Sequence, residues 1–99
     1  MRMIAPRTGA HEITLAEDQL EYSPLVVALY YDHEQKSALL LSRWTFTPEE
    51  RAAIAAGEDL YLGVLTHGQP FQPISLAVGP EAFEQRVQEG ALEKVHGQS

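Results

Sequence analysis

Four histidines, His11, His33, His67 and His96, are the side chains in this 99-residue chain best suited to ligate a metal or to shuttle a proton. A metal site needs three or four such groups, histidine or carboxylate, converging at about 2.0–2.2 Å. The run Asp32-His33-Glu34 places an acid, a base and a second acid in sequence. Consecutive turn residues point in different directions, so this adjacency is not a proton-transfer geometry. Glu49-Glu50 forms a carboxylate pair, but it stands directly after Thr47-Pro48. There the first turn of a helix accounts for both acids, through the helix dipole and a capping box. The segment Thr66-His67-Gly68-Gln69-Pro70 has the composition of a connecting turn. The sequence contains neither a nucleophile elbow nor a glycine-rich phosphate loop nor a dinucleotide fingerprint, and it has no cysteine. Disulfides, thiolate metal sites and cysteine nucleophiles are thereby excluded. The expectation is a protein that is not an enzyme, with no catalytic, cofactor-binding or metal-binding residues.

The elements that would position these groups are legible in outline. Residues 1–10 read as a loose leader, and His11–Ala16 alternates weakly, as a short strand does. Leu25–Tyr31 is rich in β-branched and aromatic residues, and Ser37–Phe46 resumes the apolar character after a polar stretch. Together they predict a β-hairpin with a five-residue loop at 32–36. Thr47 with Pro48 and Glu50 predicts a helix start, and Gly57 its end. So short a helix requires packing through Ile54. Leu60, Leu62 and Val64, then Ile74, Leu76 and Val78, alternate with period two and predict a second hairpin. Pro80 opens a second helix, with Phe83 and Val87 one turn apart on its inner face. Residues 91–99 read as a frayed tail. The predicted architecture is a single α+β domain over residues 1–99. Its order is β-ββαββα, mainly antiparallel, with two short helices on one face of the sheet. A crossover through the first helix would put the two hairpin tips at opposite ends of the sheet, separating His33 from His67.

Pairing Tyr31 with Ser37 places Leu29 opposite Leu39 and Val27 opposite Leu41, on a face that two short helices cannot also cover. Either residues 11–22 or a second chain must shield it. The candidate protein-binding surface is therefore Leu29, Tyr31, Leu39 and Leu41, with Tyr61 at its margin. A homodimer is the commonest way for a small protein to close such a sheet.

Fourteen acidic side chains against seven basic ones give a formal net charge of −7. That balance opposes direct binding to nucleic acid or to an anionic membrane. The longest apolar run, Leu25–Tyr31, is far too short to span a bilayer. No secretory signal is visible, and a cytoplasmic location is expected. If the acidity is functional, Glu17, Asp18 and Glu21 are the residues that would imitate a phosphate backbone. A solubilising surface is the simpler reading.

The stretch from Trp44 to Leu76 resembles small proteins of unassigned role encoded in tailed phages and prophages. The matching residues are Trp44, Thr47-Pro48-Glu49-Glu50, Ile54, Gly57, Leu60, Leu62 and the Pro70/Pro73 turn. This chain has Pro70-Phe71-Gln72-Pro73 where that pattern carries paired prolines. The resemblance implies a phage accessory protein that binds a host or phage protein. It also admits an inhibitor of host defence of the anti-CRISPR or anti-restriction type, or a minor assembly component.

Overall fold

The computed structural model describes residues 1–15, 25–63, 68 and 75–97. In chain order the elements are β1 (Arg2–Ile4), β2 (Glu12–Leu15), β3 (Leu25–Asp32), β4 (Ser37–Leu41), β5 (Arg43–Thr45), α1 (Pro48–Ala55), α2 (Glu81–Gln88) and β6 (Leu92–Lys94). The protein is a small α+β fold in which, among the described residues, every strand pairing is antiparallel.

β3 is the spine of the main sheet. Ala28–Asp32 of its eight residues pair with β4 along one edge, while β2 and β6 share the other edge end to end. The two short strands meet at Leu29. His11 N–H donates to the Val95 carbonyl at 2.6 Å, Leu29 N–H donates to the His11 carbonyl at 2.8 Å, and Val95 N–H donates to the Leu29 carbonyl at 3.1 Å. The junction leaves β3 with backbone partners where either strand alone would run out. β1 and β5 form a separate two-stranded ribbon, and the Met3 thioether accepts the Val26 N–H at 3.2 Å.

The buried core consists of Ala10, Ala28, Tyr30 and Leu92, with Leu39, Leu41, Phe83 and Val87 packed around it. Phe83 and Val87 bring α2 onto this face of the sheet, as their one-turn spacing on an otherwise polar helix dictates. α2 ends in a Schellman motif. Gly90, at φ +82°, donates to the Val87 carbonyl at 3.1 Å, and Ala91 N–H donates to the Arg86 carbonyl at 2.9 Å. That reversal sends the chain directly into β6 and delivers Leu92 to the core.

α1 begins with the expected capping box. Thr47 Oγ1 accepts the Glu50 N–H at 3.1 Å, and Glu50 Oε1 accepts the Thr47 N–H at 2.8 Å. Its packing departs from expectation: no residue of α1 is buried, and Ile54 is 45% exposed. Local chemistry at the two ends carries this helix. At the C-terminus a second Schellman motif closes on Gly57, at φ +101°: Gly57 N–H donates to the Ile54 carbonyl and Glu58 N–H to the Ala53 carbonyl, both at 3.0 Å.

Three expectations require correction. Residues 2–4 lie in β1 rather than in a loose leader, and residues 92–94 form β6 rather than a frayed tail. Three-residue strands are too short to show a period, and their partners lie far away in sequence. The second hairpin is not seen among the described residues: Leu60–Gly63 and Ser75–Val78 contain no strand. Alternation supplies the apolar face of a strand, but a strand also needs a neighbouring edge to satisfy its backbone. Val64, His67 and Ile74 lie outside the described residues.

Candidate binding face of the sheet

The geometry of the first hairpin is set by Asp32. Its Oδ1 accepts the N–H groups of Glu34 and Gln35, both at 3.0 Å. Its Oδ2 receives the Arg86 guanidinium from α2 at 2.7 Å. The Asp32 side chain is almost fully buried, and the Gln35 N–H is foremost among the groups that hold its carboxyl below the ordinary value of 3.8. Burial opposes this shift, and the Arg86 bond reinforces it. An aspartate that caps its own turn can also be the last paired residue of its strand. Asp32 pairs with Ser37, and the loop holds four residues, His33–Lys36, with Lys36 at φ +53°.

This shortens the expected loop by one residue and shifts the register. Tyr31 pairs with Ala38, Tyr30 with Leu39, Leu29 with Leu40 and Ala28 with Leu41. Because side chains alternate, a slip of one residue moves every side chain of one strand to the opposite face of its partner. The expected surface of Leu29, Tyr31, Leu39 and Leu41 is therefore divided between two faces. Leu39 and Leu41 lie with Ala28 and Tyr30 on the core side, beside Phe83 and Val87 of α2. Leu29 and Tyr31 share the other face with Ala38 and Leu40.

On that second face Val27 is buried, Leu29 and Tyr31 are half-buried, Ala38 is exposed and Leu40 is 49% exposed. Ile13 and Leu15 extend the same face through their pairing with Val27 and Leu25. Glu93, opposite Tyr31, is its one acidic side chain among the described paired residues. Tyr61 lies off the sheet and is 89% exposed, with Leu60 and Leu62 half-exposed on either side of it. Neither Ala38 nor Leu40 was among the expected surface residues. The sequence does carry their signal, in an aspartate at the start of a polar turn, where its side chain can bond the backbone two and three residues on.

The groups singled out for chemistry are dispersed. His11 lies at the β2–β6 junction, His33 lies in the hairpin turn with its ring 4.8 Å from that of Tyr31, and His96 follows β6. Among the described residues no group of three or more histidines, aspartates or glutamates is placed to hold a metal ion. Asp32 is engaged with its turn and with Arg86, and Glu50 is engaged in the capping box and with the Met1 amino group. His67 and the acidic residues Glu17, Asp18 and Glu21 lie outside the described residues. Among the described residues no helix is long and apolar enough to cross a membrane.

Comparison with protein-family models, curated proteins and solved structures finds no match.

Proposed function

We propose that this chain is a non-enzymatic protein-binding module of the cytoplasm, and that it contacts its partner through the second face of the β3–β4 hairpin. The observation that carries the reading is the row Leu29, Tyr31, Ala38 and Leu40. These are apolar side chains on the face opposite α2, and they include a leucine left half-exposed in the middle of a strand. Apolar side chains grouped on one face are characteristic of interaction surfaces, and tyrosine and leucine there supply contact area at low entropic cost. The resemblance over Trp44–Leu76 supports a phage accessory role, with a bacterial or phage protein as partner. Inhibition by nucleic-acid mimicry rests on Glu17, Asp18 and Glu21, and the geometry of the described residues adds nothing to it.

The test compares immobilised wild-type protein with its Leu40→Lys variant in capture from a bacterial lysate, quantified by mass spectrometry. A protein retained by the wild type and depleted at least tenfold by Leu40→Lys supports the reading. Equal capture by both overturns it.

A further inference from the structure

β4 is an edge strand: it pairs with β3 on one side, and among the described residues no strand pairs with its other side. Edge strands are ordinarily protected by a charge, a proline or a bulge. Ser37-Ala38-Leu39-Leu40-Leu41 has neither a charge nor a proline. Just beyond its end stands Arg43, one of only seven basic residues in a chain of net charge −7. Among the described residues the edge is thus apolar and unprotected, with a basic side chain just beyond its end.

A second segment of the same chain has the complementary chemistry. Glu58-Asp59 is followed by Leu60-Tyr61-Leu62-Gly63, which alternates like a strand yet belongs to none. All three large apolar side chains there are at least half-exposed. Antiparallel pairing with β4, the sense of every ladder among the described residues, has a register that satisfies both faces at once. Leu62 falls opposite Leu39 and Leu60 opposite Leu41, extending the core face. Tyr61 falls opposite Leu40, beside Leu29, extending the second face. Carried two residues past the end of β4, the same register sets Glu58 opposite Arg43, the first residue of β5. A shift by one residue in one direction sets Asp59 against Leu41, and in the other it sets Gly63 against Leu39. The matched register is the one that leaves neither a carboxylate nor a glycine opposite a leucine.

We propose that Glu58–Gly63 of a second copy of this chain adds to the β4 edge, and that two copies exchange these segments reciprocally into a two-fold dimer. Main-chain hydrogen bonds along the edge supply affinity, and the pairing of Leu60, Tyr61 and Leu62 with the three leucines of β4 sets the register, with Glu58 facing Arg43. Reciprocal exchange satisfies both edges and closes the assembly, which protects an acidic protein with an open edge from growing into fibres.

Light scattering tests the proposal on the full chain. The wild type is expected at twice the 11.0 kDa chain mass at micromolar concentration, and Leu62→Glu at a single chain mass with an unchanged circular dichroism spectrum. Leu62 is exposed in the single chain, so this substitution spares the fold. Arg43→Glu should weaken the dimer roughly tenfold, counting two symmetry-related contacts, and Arg43→Glu with Glu58→Arg should restore it. A wild type that stays at one chain mass up to several hundred micromolar overturns the proposal. So does a dimer that persists in Leu62→Glu. These outcomes are separable from the partner reading. A monomer that still captures a partner through Leu40 overturns the dimer alone, and a dimer that captures none overturns the partner reading alone.

Discussion

Replacing Leu92 by alanine should destabilise the protein more than any other change in the last ten residues. Leu92 is 2% exposed and completes the core with Ala10, Ala28 and Tyr30, although it belongs to a three-residue strand at the sheet periphery. Leucine-to-alanine changes in cores cost about 2–5 kcal/mol, the loss depending on how far the site collapses around the cavity. A short peripheral strand relaxes more readily than a central one, which places Leu92→Ala at about 2.5–3.5 kcal/mol. For a domain of this length that corresponds to a fall in Tm of roughly 10–25 °C. It is also a large share of the about 5–15 kcal/mol available to a small protein. Urea titration followed by circular dichroism measures it, with Val95→Ala as the control three residues on. Val95 is exposed at the end of the strand, and its truncation should cost less than about 1 kcal/mol. A loss below about 1 kcal/mol for Leu92→Ala, or one equal to that of Val95→Ala, would refute the placement of β6 in the core.

Other outcomes follow from the same geometry. Gly90→Ala should cost about 1–2 kcal/mol in a urea titration, because an alanine at φ +82° meets the left-handed penalty at the turn that aims β6. Asp32 has a folded pKa below its ordinary value of 3.8, so its contribution is fully present above the unfolded pKa. It is lost as pH falls through the lower folded value, and Asp32→Asn should therefore flatten the acid limb of a Tm-against-pH profile. An unchanged acid limb would show that the Arg86 pair and the turn bonds do not distinguish the two charge states. Thr47→Ala removes one half of the capping box and should cost about 1 kcal/mol, expressed as fraying of α1 in amide exchange, since no tertiary burial supports that helix.

What the sequence disclosed and what it concealed divide along the range of the interactions. Both helices, the first with its capping box at Thr47 and its glycine stop at Gly57 and the second with its start at Pro80, were legible because each is decided within a few residues. The first hairpin was legible as two apolar runs around a polar turn. Its register was not, because one aspartate side chain decides whether the loop holds four residues or five. That single residue changed the candidate surface from Leu39 and Leu41 to Ala38 and Leu40. β1 and β6 were hidden for a different reason. Each is three residues long and takes its meaning from a partner about 40 to 60 residues away, Arg43–Thr45 for one and Tyr30–Asp32 for the other. Leu60–Leu62 shows the converse: a local pattern that reads as a strand, in a backbone that belongs to none.

The register of the hairpin decides which side of the sheet is open, and two adjacent leucines report on it directly. Leu39→Lys and Leu40→Lys place the same charge one residue apart, and circular dichroism at low micromolar concentration distinguishes their effects. With Tyr30 paired to Leu39, the lysine at position 39 enters the side packed by Phe83 and Val87 and should abolish the native spectrum. The lysine at position 40 points away from α2 and should leave the spectrum intact. A folded Leu39→Lys protein beside an unfolded Leu40→Lys protein would contradict the account.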